Sequence, residues 1–170
     1  MNIYYLYIPE LEKNSLIASY TDNKDFMSEK RLLEYAAGRF LVKTVAKIFY
    51  AIEDEIVLNN KKPEFKNKDI EFSLSHSKDY VVAVFDDKPC GIDIEYIKDR
   101  DFSHIGKRYN EIFTTREDFY KFWTQKESEI KLPNCAKKNS FVFKKNYMIS
   151  VASFDRNMEV PKCINLIKYI

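Results

Sequence analysis

Apolar residues recur at helical spacing from Ser28 to Tyr50, through Leu33, Ala37, Phe40, Leu41, Val45, Ile48 and Phe49, which predicts one long amphipathic helix with Ser28 as its N-cap. A different period governs the segments around it. Met1 to Ile8 is β-rich and apolar and reads as a strand. Ile70 to Leu74, Tyr80 to Phe85 and Gly91 to Tyr96 are short β-prone runs separated by polar turn residues, most simply an antiparallel meander. Thr115 to Lys131 returns to helical spacing, with Phe119, Phe122, Trp123 and Ile130 as its apolar stripe and Pro133 just past its end. Two or three further strands follow, the clearest from Tyr147 to Phe154.

Strands in runs beside helices, without strict βαβ alternation, place the chain in the α+β class. The segment Asp79-Tyr-Val-Val-Ala-Val-Phe faintly echoes Asn146-Tyr-Met-Ile-Ser-Val-Ala, a weak sign of internal duplication. With three glycines, five prolines and no Gly/Ser-rich linker, any two halves must pack directly on each other. The expectation is a single domain over residues 1–170.

Composition narrows the setting. Three cysteines at wide spacing, Cys90, Cys135 and Cys163, with no CxxC pair, argue against a disulfide framework and a structural zinc site, and fit a reducing cytoplasm. No window approaches the roughly 18 apolar residues of a membrane span, and the N-terminal stretch lacks the pattern of an export leader. The expectation is a cytoplasmic protein without a membrane partner. A net charge of +2 is too small for a general nucleic-acid binder. From Lys131 onward, however, basic residues far outnumber acidic ones, which suits either an acidic partner or an ordinary solvated surface.

Four segments carry candidate chemistry. In Gly91-Ile92-Asp93-Ile94-Glu95, strand alternation sends Ile92 and Ile94 to one face and both carboxylates to the other, where hard oxygen donors suit Mg2+, or Mn2+ in its place. An amphipathic strand with a polar outer face has the same pattern. In Trp123-Thr-Gln-Lys126-Glu127-Ser-Glu-Ile-Lys131, Glu127 and Lys131 stand one helical turn apart, either as a surface ion pair or as a third metal ligand or base beside phosphate-neutralising lysines. Ser75-His76-Ser77 ends a strand with donors to a phosphate or amide. Lys30, Arg31 and Arg39 on the first helix, with Lys61-Lys62-Pro63 beyond it, are either solvated helix charge or cations for a ligand with several phosphate groups, such as coenzyme A.

Taken in order, Lys62-Pro63, Ser75-His76-Ser77, Gly91-Ile-Asp93-Ile-Glu95 and Trp123-x-x-Lys126-Glu127-x-x-x-Lys131 resemble the 4'-phosphopantetheinyl transferases, particularly the longer type that activates peptide and polyketide synthetases. The resemblance runs from about Lys30 to Lys131. It implies a pseudo-twofold α+β fold of two similar subdomains, about 1–95 and 96–170, each an antiparallel sheet packed with a long helix. It also implies transfer of the phosphopantetheine arm of coenzyme A to a serine of an apo acyl or peptidyl carrier protein, with release of 3',5'-ADP, by a monomer.

By the same resemblance Asp93, Glu95 and Glu127 would hold Mg2+, and Lys126 and Lys131 would stabilise the pyrophosphate. Lys30 or Arg31, Lys62, Ser75 and His76 would hold the nucleotide end. Glu127 would act as the base, directly or through a metal-bound water, with Lys131 assisting. The chain departs from the family in its shorter length, in Lys61 where a glycine often stands, and in Pro133 so soon after Lys131. Rival readings are a coenzyme A- or carrier-binding relative without turnover, another magnesium-dependent phosphate enzyme, and a small basic nucleic-acid binder.

Overall fold

A computed structural model describes residues 1–13, 17, 20, 28–60, 62–67 and 70–170. Lys61 lies outside the described residues. The elements in chain order are β1 (Asn2–Tyr7), α1 (Ile8–Lys13), α2 (Glu29–Tyr50), β2 (Ile56–Asn59), β3 (Lys62–Phe65), β4 (Glu71–Ser77), β5 (Tyr80–Asp86), β6 (Cys90–Tyr96), α3 (Ser103–Tyr109), α4 (Arg116–Lys131), β7 (Lys137–Phe143), β8 (Tyr147–Ser153) and β9 (Lys162–Asn165). The fold is α+β, as expected. Among the described residues no helix is long and apolar enough to cross a membrane, and the three cysteines are free thiols.

The elements form four layers: α2, a sheet of order β4-β5-β1-β9, a sheet of order β6-β8-β7, and α4. The period of two along β1 and β5 explains why both sides of the first sheet are covered. Tyr4, Leu6, Val81, Ala83 and Phe85 face α2, where Ala37, Phe40, Leu41 and Val45 form the buried helical stripe. Ile3, Tyr5, Val82 and Val84 face the second sheet and meet Ile92, Ile94, Ile149 and Val151. A strand buried on both faces needs apolar residues at every position, which is why β1 carries no polar alternation.

Ser28 is the N-cap of α2, its hydroxyl accepting the Arg31 N–H at 3.4 Å. A capping box of Thr115 and Asp118 starts α4. Two expected core positions are exposed instead, Ile48 and Ile130, the latter at 70%. Ile130 shares its helical side with Phe119, but Phe102, Ile105 and Phe113, which cover Phe119, do not extend to the last turn of α4. What the last two turns bury is polar and small: Thr124 and Ser128 are both fully enclosed.

The expected meander stops after two strands. β4 and β5 pair antiparallel, whereas β6 leaves that sheet and pairs antiparallel with β8. Each sheet is built by the same sequence of elements. β1, α2 and the β4–β5 hairpin give the order β4-β5-β1, and β6, α4 and the β7–β8 hairpin give β7-β8-β6, antiparallel throughout. β9 then adds to the edge of β1 in parallel.

The two sheets meet along β4 and β6 through side chains. Ser73, Ser75 and Ser77, on one face of β4, accept the backbone N–H groups of Ile92 at 3.1 Å, Ile94 at 3.4 Å and Tyr96 at 3.0 Å. These are the N–H groups of alternate β6 residues, so hydroxyls supply partners that a further strand would otherwise provide. On the other side α4 sits directly on β6, because a Cβ at Gly91 would lie 2.3 Å from the Ser128 carbonyl oxygen.

Gly91→Ala is therefore expected to cost about 1–3 kcal/mol, since backbone must move to admit the methyl group. Gly38→Ala on α2 meets only the flexible end of Leu74, at 2.9 Å, and gains about 1 kcal/mol of helix propensity, so it should change stability little. Urea denaturation of the two variants checks the contrast.

Candidate active site

The Gly91–Glu95 alternation is realised: Ile92 and Ile94 face the first sheet, and the side chains of Asp93 and Glu95 meet the serines and α4. Ser75 Oγ donates to Asp93 Oδ1 at 2.8 Å, and Ser77 Oγ donates to Glu95 Oε2 at 3.1 Å. The hydroxyls that join the sheets thus also aim the two carboxylates.

Lys131, in the last turn of α4, reaches the same place. Its Nζ donates to Asp93 Oδ1 at 3.1 Å, to the Ile92 carbonyl at 2.7 Å and to the Leu74 carbonyl at 3.4 Å. One ammonium therefore ties β4, β6 and α4 together. Asp93 is only 6% exposed, and its second oxygen, Oδ2, is fully buried with no hydrogen-bond partner among the described residues.

The carboxyl groups influence one another. Burial pushes Asp93 above the usual carboxylate range, opposed by the charge of Lys131 and the hydrogen bond from Ser75. Glu95 is raised by burial and then by the charge of Asp93, with Glu127 adding to the rise. Glu127, one turn before Lys131, is raised by burial and by Asp93 and lowered by Lys131. Among the described residues no three His, Cys, Asp or Glu side chains already stand as a closed cation cage. The donors nevertheless fit a hard divalent cation, being oxygens of mutually repelling carboxylates, one of them buried without a partner.

A cavity of ≈ 380 Å³ lies on the other side of β4, lined by α2, the β2–β3 hairpin and the Phe72–Leu74–His76 face of the strand. Its polar lining comes from Arg31, Glu34, Tyr35, Arg39 and His76. Arg39 donates to Tyr35 Oη at 3.2 Å and to the Ile56 carbonyl at 3.4 Å, so its guanidinium is held rather than free. Cavity and carboxylates share one strand: the Leu74 side chain lines the former, and its carbonyl accepts from Lys131 beside the latter.

The structure brings some of the sequence-derived residues together and leaves others apart. Asp93, Glu95, Glu127 and Lys131 share one neighbourhood, and Arg31 and His76 share the cavity. Ser75 stands with the carboxylates and not in the cavity. Lys30 lies outside the lining and reaches Glu34 at 3.8 Å, while Lys62 reaches Glu71 at 4.0 Å. Lys126 points to Glu129, 3.9 Å away, and lies over the Phe122 ring. Glu34 and Tyr35 were missed, and the signal was available: their spacing to Gly38 and Arg39 puts all four on one side of α2.

No family model matches the chain. Curated proteins similar to it include the following three. The 4'-phosphopantetheinyl transferase psf-1 of Bacillus pumilus is 33% identical over 111 residues, 56% of this chain and 47% of the relative. The 4'-phosphopantetheinyl transferase gsp of Aneurinibacillus migulanus is 31% identical over 134 residues, 71% of this chain and 54% of the relative. This chain is a homologue of the 4'-phosphopantetheinyl transferases. The 4'-phosphopantetheinyl transferase Sfp of Bacillus subtilis (strain 168) is 38% identical over 74 residues, 37% of this chain and 33% of that protein. The homologue thus spans about half the length of the first two relatives.

In this phosphopantetheinyl transferase homologue the raised carboxyls have a thermodynamic signature. A carboxyl whose folded pKa lies above its unfolded value binds more protons when folded, so its contribution is fully present below the unfolded pKa and lost as pH rises through the folded one. Without divalent cations, Glu95→Gln should therefore have a higher urea midpoint than the parent at pH 7, the gap closing below about pH 4. Urea titrations across pH measure it.

Proposed function

We propose that the chain transfers the 4'-phosphopantetheine arm of coenzyme A to a serine of an apo acyl or peptidyl carrier protein. The observation that carries this reading is the pairing, across one strand, of the Asp93–Glu95–Glu127–Lys131 group with the Arg31–Arg39–His76 cavity. A long ligand with a nucleotide at one end and a pyrophosphate farther along would use both sides of β4. The names of the relatives agree with it.

In the proposed reaction the serine oxygen bonds to the phosphorus that bears the pantetheine, the pyrophosphate P–O bond breaks, and 3',5'-ADP leaves. The serine proton passes to Glu127, whose carboxylate is made more basic by burial and by the Asp93 charge. Asp93, Glu95 and Glu127 would hold Mg2+, or Mn2+, which when bound neutralises pyrophosphate charge. Lys131 keeps Asp93 oriented and sets a positive charge beside the leaving group. Arg31 and His76 take the nucleotide end, with Lys30, Lys62 and Lys126 as outlying cations, and Ser75 positions Asp93.

We read the molecule as a cytoplasmic monomer with an acidic carrier as partner and without a nucleic-acid or membrane ligand. The repeated strand–helix–hairpin order supports a pseudo-twofold relation of two halves that part near β6. Tyr80 and Tyr147, which begin β5 and β8, meet at 5.0 Å between ring centroids, as equivalent positions near such an axis would. α4 is followed by β7 after only Leu132–Ala136, so the carrier must be met with little help from that connection.

Intact-mass spectrometry of apo carrier protein with this protein, coenzyme A and magnesium should show a gain of roughly 340 Da that disappears with chelator and with Glu127→Gln. Coenzyme A binding without any gain across several carriers would overturn the transfer, as would phosphate release that needs no carrier. Magnesium alone should raise the melting temperature of the parent and have less effect on Asp93→Asn.

A further inference from the structure

Three hydroxyls and an amide form a series of hydrogen bonds between α4 and the second sheet that neither the motifs nor the proposed transfer uses. Gln125 Nε2 donates to Ser140 Oγ at 2.9 Å, the Ser140 and Ser150 oxygens are 2.8 Å apart, and the Ser150 and Thr124 oxygens are 2.6 Å apart. Thr124 Oγ1 also lies 2.8 Å from the Tyr120 carbonyl and 3.3 Å from the Lys121 carbonyl. Thr124 and Ser150 are both fully enclosed.

The direction of the series follows from its protons. A carbonyl oxygen brings none, so the single Thr124 hydroxyl proton lies toward the α4 backbone. Ser150 therefore donates to Thr124, and Ser140 donates to Ser150. This commits the Ser150 proton to α4. Ser150 stands directly opposite Asp93 in the β6–β8 register, on the same face of the sheet, where opposed Cβ atoms are about 5 Å apart. Asp93 Oδ1 already accepts from Ser75 and Lys131, whereas Oδ2 is buried with no partner among the described residues. A hydroxyl with a free proton beside that oxygen would bond to it, because a hydrogen bond to a carboxylate is about twice as strong as one between neutral groups.

We propose that Thr124 is a positioning residue that acts through Ser150: by accepting the Ser150 proton it keeps that hydroxyl off Asp93 Oδ2 and leaves the oxygen open to a hard divalent cation. The assignment rests on the cation reading above. It gives α4 a second part in the site, apart from the side chains of Glu127 and Lys131.

Calorimetric titration of the intact protein with Mg2+ alone tests it, with thermal melts in chelator confirming folding. Thr124→Val keeps the shape and removes the acceptor of Ser150, so the freed hydroxyl should turn to Oδ2 and weaken Mg2+ binding on the order of tenfold, as changes in the outer partners of metal ligands do. Adding Ser150→Ala should restore the parent affinity to within about twofold. Ser140→Ala breaks a neighbouring bond of the same series but leaves the Ser150 proton on Thr124, and it too should stay within about twofold of the parent. Lost packing alone would weaken the single and double variants alike. Unchanged affinity in Thr124→Val, a loss that Ser150→Ala does not reverse, or an equal loss in Ser140→Ala would each overturn the assignment while leaving the cation reading intact. Should Thr124→Val not fold, Thr124→Ala makes the same cut with the same expectations. Failure of the parent to bind Mg2+ would overturn both.

Discussion

A β-strand with one open edge has to satisfy its backbone there, and the site of this protein is built from the way β6 does so. One edge pairs with β8, and the other takes three serine hydroxyls and a lysine ammonium in place of a neighbouring strand. Because the partners are side chains, the two sheets can face each other through an apolar core and still be joined by directed bonds. The same serines then hold Asp93 and Glu95. Packing, sheet satisfaction and carboxylate orientation therefore depend on one row of small hydroxyls.

This arrangement accounts for the electrostatics. Asp93 is buried because it sits where two sheets and a helix converge, and Lys131 and Ser75 oppose the cost of a charge in that dry place. Its unpartnered oxygen and the repulsion it exerts on Glu95 and Glu127 make this the part of the structure least satisfied on its own terms. Buried strain of that sort is what a cation relieves. The cavity behind β4 has a different character, largely apolar, with the Arg39 guanidinium held by Tyr35 and the Ile56 carbonyl.

Much of this was legible in the sequence where periodicity or chemistry is local. The long helix and its Ser28 cap, the strands, and the facing of Asp93 and Glu95 away from Ile92 and Ile94 all follow from spacing within one segment. The departures are tertiary. Nothing within Gly91–Tyr96 says that this strand joins β8 and not the preceding hairpin, and nothing in α4 says that cover over Phe119 ends before Ile130. Ser75 was grouped with His76 because they are neighbours in sequence, but strand alternation sends them to opposite sides, one to a carboxylate and one to the cavity. Glu34 follows Lys30 and Arg31 on the helix, in itself an ordinary surface pattern, and only its spacing to Gly38 and Arg39 marks it as a cavity residue.

The bonds of Lys131 carry a further consequence for how the molecule is made. Its three acceptors belong to residues 74, 92 and 93, far from it along the chain and contributed by both sheets. Such contacts form only once the chain has closed large loops, so they come after the local helices and hairpins in any assembly sequence. A nascent or partly opened molecule with each hairpin and helix in place still lacks the gathered charges, and its reactive groups stay dispersed until both sheets have closed on each other.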